Sequence, residues 1–108
     1  MLSLVGLATR ANKVASGEFM TERSVKDGTG QLVIVATDAS NNTKKKFGNM
    51  CDYYQVPIYY YSNKITLGKA IGKEYRASLG VTDEGLAKEI IKHLEMLLDN
   101  VEDVGGCR

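Results

Sequence analysis

The sequence predicts an α/β fold, a three-layer α/β/α sandwich on a small four-stranded mixed sheet, and three observations lead to it. Helical apolar stripes alternate along the chain with short β-branched or aromatic runs. Residues 32–36, LVIVA, are apolar at every position, the pattern of a strand covered on both faces. Connections are short, so helices must pack directly on the sheet. The 108 residues, 44% of them apolar and only one of them proline, can bury one core without staples.

Leu4, Leu7, Ala8 and Ala11 repeat at i, i+3, i+4 and i+7 and predict a first amphipathic helix with Arg10 toward solvent. Residues 13–16 form a short extended link, and Ser16 is the expected N-cap of a second helix over residues 17–26, with Glu18 in its first turn and residues 27–30 ending it. After the strand at 32–36, Ser40 caps a helix whose stripe is Phe47, Met50, Cys51 and Tyr54. Pro57 opens a strand at 58–61, residues 66–72 read as a short helix bounded by glycine, and residues 76–81 as the last strand. Asp83 caps the longest helix, where Leu86, Ala87, Ile90, Ile91, Leu94, Leu97 and Leu98 make a wide apolar face. Residues 1–98 read as one domain, and residues 99–108 as an acidic, frayed tail.

Two cysteines, Cys51 and Cys107, lie far apart, and with a single histidine, His93, they supply neither a zinc-ligand set nor a disulfide framework. The N-terminal apolar run is too short to span a membrane and lacks a leader pattern, so a cytoplasmic protein in a reducing compartment is expected. Net charge is +1, but residues 1–82 carry eleven Lys and Arg against six Asp and Glu, whereas residues 83–108 carry three against seven. A basic body with an acidic end fits an anionic partner for the body, although such asymmetry is common.

Catalytic motifs are missing. Gly28 and Gly30 precede a strand rather than follow one, and GKAIGK (68–73) lacks both Walker spacing and the following Ser or Thr, so these glycines read as turn and helix-end positions. No nucleophile elbow occurs, His93 has no Ser or Cys on a compatible face, and the acidic residues of the last helix are spread along a solvated side. No enzymatic activity, cofactor or metal is expected. Tyr53, Tyr54, Tyr59, Tyr60 and Tyr61 are able to stack bases, but in a sheet covered on both faces such residues more often pack in the core or at its edge.

GLATRANKVASGE, LVIVATDASNNTKKK, YYQVPIYY, LGKAIGK and the Thr-Asp-Glu-Gly opening of the last helix together resemble the YlxQ-type bacterial branch of the ribosomal protein L7Ae family, over about residues 3–95. The resemblance implies the same sandwich, with the start of the second helix and the loop before the last strand clamping sharply bent kink-turn RNA. It also implies a ribosomal or translation context, structured RNA as partner, possible company of ribosomal proteins, and no DNA. The family reads the edges of sheared guanine-adenine pairs and the flanking phosphates.

The family pattern at the second helix runs Gly, any residue, Asn, Glu, two more, then Lys. Gly17 and Arg23 match its ends, while Phe19 and Met20 stand where Asn and Glu would be. Asn and Glu read base edges by hydrogen bonding, whereas Phe and Met only stack or pack. Glu18 offers a carboxylate one position early. Asp38 corresponds to the family's aspartate after the strand, expected to position a helix start or a basic residue, Lys64 to its lysine before the fourth helix, and residues 75–78, including Arg76, Ala77 and Ser78, to the loop that grips a flipped-out nucleotide. Arg23, Lys26, Lys44, Lys64 and Arg76 are the expected phosphate contacts, which position RNA without reading it. A protein-interaction adaptor, with Phe19 and Met20 as an apolar contact, is the alternative.

The lysines of NNTKKKF face different ways. At about 100° per residue, Lys45 lies opposite the Phe47 stripe and Lys44 and Lys46 on its flanks. Lys44 with Asn41 is placed to reach the RNA rim, and Lys45 and Lys46 are expected to be solvated.

Overall fold

The run read as a doubly covered strand lies inside the sheet, with every residue buried. The computed structural model describes the backbone of residues 2–105 and the side chains of residues 2–97. In chain order the elements are α1 (Leu2–Arg10), β1 (Val14–Ser16), α2 (Glu18–Lys26), β2 (Leu32–Val35), α3 (Asn41–Tyr54), β3 (Ile58–Tyr60), α4 (Lys64–Ala70), β4 (Ser78–Val81) and α5 (Glu84–Gly105). Among the described residues one four-stranded sheet has the order β1-β4-β2-β3. β2 and β3 are parallel, and β4 is antiparallel to both β1 and β2, so the sheet is mixed.

Side chains alternate across the sheet and split the core in two. Leu32, Ile34, Leu79 and Val81 pack with Val5 of α1, Leu67 of α4 and Ile90 and Leu94 of α5. Val33 and Val35 pack on the other face with Val25 of α2 and Phe47 and Cys51 of α3. Each fully buried side chain of this size contributes roughly 1.5–3 kcal/mol. The three layers of the sequence-based expectation are therefore α1/α4/α5, sheet, and α2/α3.

Several local expectations shift. α1 buries Val5 and Ala8 while Leu7 and Ala11 are exposed, because the helix is rotated by about one position relative to its expected stripe. Ser16 is no helix cap. It is taken by β1, opposite Leu79, and α2 starts on Gly17 with no side-chain cap hydrogen bond. α4 starts at Lys64, capped by Asn63, whose side chain accepts from the Thr66 amide at 2.8 Å. Residues 76 and 77 stay outside β4, since the Arg76 amide donates to the Lys64 carbonyl instead. Ser40 and Asp83 cap α3 and α5 as expected, accepting from the amides of Thr43 and Leu86. Tyr59 and Tyr61 pack against the core, whereas Tyr53, Tyr54 and Tyr60 are exposed, Tyr54 contrary to its place in the expected stripe. α5 continues as helix to Gly105, and residues 106–108, the end of the expected tail, lie outside the described residues.

Candidate nucleic-acid interface

Two segments far apart in sequence, residues 16–20 and residues 73–77, face each other across an open groove of about 600 Å³. One wall is the start of α2. Gly17 stands at φ 90° and ψ 163°, a left-handed backbone that any residue with a Cβ adopts only under strain. Its amide donates to the Ser78 carbonyl at 3.1 Å, which fixes the strand-to-helix turn on the sheet. A Cβ there would lie 3.8 Å from Arg76 Nε, so the arginine side chain passes directly across the turn.

The other wall depends on α4. A Cβ on Gly68 would lie 2.4 Å from the Tyr75 Cα, so only glycine lets the loop lie against the helix. Gly68 is thus a mid-helix contact and not the helix-end glycine that GKAIGK suggested. The Gly68 carbonyl also accepts from the Lys73 amide at 2.8 Å. Asp38 Oδ1 accepts from the Lys64 amide at 2.9 Å, and the Lys64 carbonyl accepts from the Arg76 amide at 2.9 Å. This relay ties the turn after β2 to the groove and gives Asp38 a positioning role at a helix start. Arg76 Nη1 donates to the Tyr75 carbonyl at 2.7 Å, which sets the guanidinium's direction.

Charges on α2 are tied to α3. Lys46 Nζ lies 3.0 Å from Glu18 Oε2 and 2.7 Å from Glu22 Oε1, and Lys26 Nζ lies 2.8 Å from Glu22 Oε2. The Lys26 and then the Lys46 ammonium hold the Glu22 carboxyl down at about 2. The same contacts raise the Lys46 pKa, the Glu22 hydrogen bond contributing most. Lys46 is therefore not simply solvated: the flank it occupies faces α2. Glu18, the carboxylate offered for base reading, is engaged by that ammonium.

Gly17, Glu18, Phe19, Met20, Arg76 and Ala77 all line the first groove. Phe19 also forms part of a second groove of about 370 Å³ along α2, together with Arg23 and Lys26. Asn41 and Lys44 lie apart from these, in a third groove with Thr37 and Tyr60, whose hydroxyl donates to the Lys44 carbonyl. Ser78 is fully buried, and its Oγ has no hydrogen-bond partner, so its side chain offers no surface to a ligand. Lys73, at the start of the segment expected on this rim, and Glu74 also line the first groove, although neither was named as a contact. Cys51 is no reactive thiol, as burial pushes its pKa up to about 11. Among the described residues, no group of three or more His, Cys, Asp or Glu could hold a metal ion, and no helix is long and apolar enough to cross a membrane.

Residues 1–91 match the model of the ribosomal protein L7Ae/L30e/S12e/Gadd45 family. The chain belongs to this family. It is 42% identical over 92 residues to the RNA-binding protein YlxQ of Bacillus subtilis, covering 85% of this chain and 92% of that one. It is 28% identical over 102 residues to the large ribosomal subunit protein eL8 of Thermoplasma acidophilum, covering 94% and 84% of the two chains. A solved protein of unknown function from Bacillus halodurans superposes with a TM-score of 0.82 at 41% identity, covering 84% of this chain and 92% of that one. This L7Ae-family chain therefore has relatives named for RNA binding and for the ribosome.

Proposed function

We propose that this chain is a non-enzymatic RNA-binding protein that engages kink-turn or related internally looped RNA in a ribosomal or translation context in the cytoplasm. The observation that carries the reading is the groove itself. It joins the start of α2 to the loop before β4, and Arg76 crosses between its walls. Phosphates meet Arg76, Lys73 and Arg23, while the uncapped start of α2 adds the positive end of its dipole. Ribosomal proteins are further candidate partners.

A gel shift with a kink-turn RNA and a fully paired duplex of equal length tests this. Clear preference for the kink-turn is expected, and equal affinity for both would refute recognition of the bent, looped structure. A second reading, a protein-interaction adaptor, draws on the exposure of Phe19 and Met20, at 72% and 45%. It requires that Phe19→Ala abolish binding of a protein partner while the chain shows no RNA preference.

A further inference from the structure

We infer that Phe19 is a stacking platform for an unpaired RNA base, so that this protein selects looped RNA by an unstacked nucleobase rather than by the edges of paired bases. This rests on the RNA-binding reading above and specifies its ligand chemistry.

Phe19 is 72% exposed and borders two grooves at once, one lined also by Arg76 and the other by Arg23. Tyr75, 57% exposed, is a second aromatic residue on the first groove. A flat π-surface with cations on either side matches a nucleotide, whose base stacks while its phosphates reach the cations. Arg23 follows Phe19 by four residues on α2 and so lies one turn along the same face. Of the carboxylates that line these grooves, Glu18 and Glu22 are bridged by Lys46 and Asp27 accepts from Thr29, while Glu74 is outnumbered in the first groove by Lys73 and Arg76. This charge arrangement favours a nucleotide over an apolar protein side chain, which gains nothing from flanking cations. Edge reading has little to work with here: Phe19 and Met20 have no side-chain donor or acceptor for a base edge, and Glu18 is held by Lys46.

The test uses the full chain and an internal-loop RNA in which each unpaired nucleotide is replaced in turn by an abasic analogue. At one position the wild-type protein is expected to lose affinity on the order of ten- to a hundredfold. Phe19→Ala should bind the intact RNA and that abasic RNA alike, Phe19→Tyr should keep the discrimination, and unchanged circular dichroism and melting would certify the fold of each variant. Replacing sheared pairs by Watson-Crick pairs, with the unpaired nucleotides kept, should change affinity far less. Equal wild-type binding to the intact and every abasic RNA overturns the stacking site, as does discrimination that survives Phe19→Ala. The two readings fail differently: loop-over-duplex preference without an abasic effect removes stacking alone, whereas absence of that preference removes the RNA reading and stacking with it. If Phe19→Ala abolishes binding of a protein partner and leaves RNA binding unaltered, stacking is overturned as well.

Discussion

At Gly68 a single hydrogen decides whether the loop of residues 73–77 can lie against α4, because a methyl there would sit 2.4 Å from the Tyr75 Cα and 2.7 Å from its amide nitrogen. Both neighbours are backbone and cannot rotate away, so Gly68→Ala must push the loop or α4 aside. Overpacking of this kind costs roughly 1–3 kcal/mol, to be read as a lower urea midpoint at an unchanged slope. Because the displaced residues include Tyr75 and Arg76, RNA affinity should fall as well, and a variant that melts earlier yet binds RNA normally would separate the loop from the interface. Single residues were legible in the sequence where their partner is local. Ser40 and Asp83 cap amides three positions ahead, which spacing alone reveals. Asn63 obeys the same rule but stood outside the expected helix, and Ser16 broke it because β4 claimed it first. Gly68 was unreadable, since the atom that excludes a Cβ comes from a different segment.

Between elements, the decisive contact is the clasp of α3 on α2. Helical angles in the sequence placed Lys46 on a flank of α3 but could not show that the flank faces Glu18 and Glu22, which requires the layer packing. Lys46→Met should weaken RNA binding without touching RNA, because it leaves Glu18 beside the groove without its cation and Glu22 held by Lys26 alone. Adding Glu18→Gln and Glu22→Gln should restore affinity. Failure of that rescue would mean that Lys46 meets phosphate directly. The clasp also has a pH signature. The Glu22 pKa is depressed from 4.5 to about 2, so its contribution to stability is present above about 4.5 and lost as pH falls toward 2. The Lys46 pKa is raised above 10.5, so that contribution is present below 10.5 and lost as pH rises through the folded value. The melting difference between wild type and Lys46→Met should accordingly be flat across neutral pH and shrink on acidification below about 4.5. A constant difference down to pH 2 would show that packing of the Lys46 stem, and not its charge, holds the helices together.

Over the whole molecule, alternating helices and strands made the sandwich legible, because period and element order are sequence properties. The sheet order β1-β4-β2-β3 was not, since pairing joins residues as distant as Val14 and Val81. The same distinction governs the basic residues. Five cations were candidates for phosphate contact, about four of them expected to engage, and the fold sets them apart: Lys44 belongs to a different groove from Arg76, Lys26 is bridged to Glu22, and Lys64 joins the loop through its backbone. The proposed phosphate contacts are then Arg23 and Arg76, whose grooves share Phe19, together with Lys73. Three phosphate contacts imply a log-log salt slope of roughly −2 to −3, shallower than the roughly −3 to −4 that four would give. Arg76→Ala should reduce the steepness by about 0.7–0.9, whereas Phe19→Ala should lower the whole line without tilting it, since stacking releases no counterions. Lys44→Ala should do neither. If Lys44→Ala tilts the line as much as Arg76→Ala does, the RNA reaches the third groove, and the interface extends across α3 rather than ending at α2.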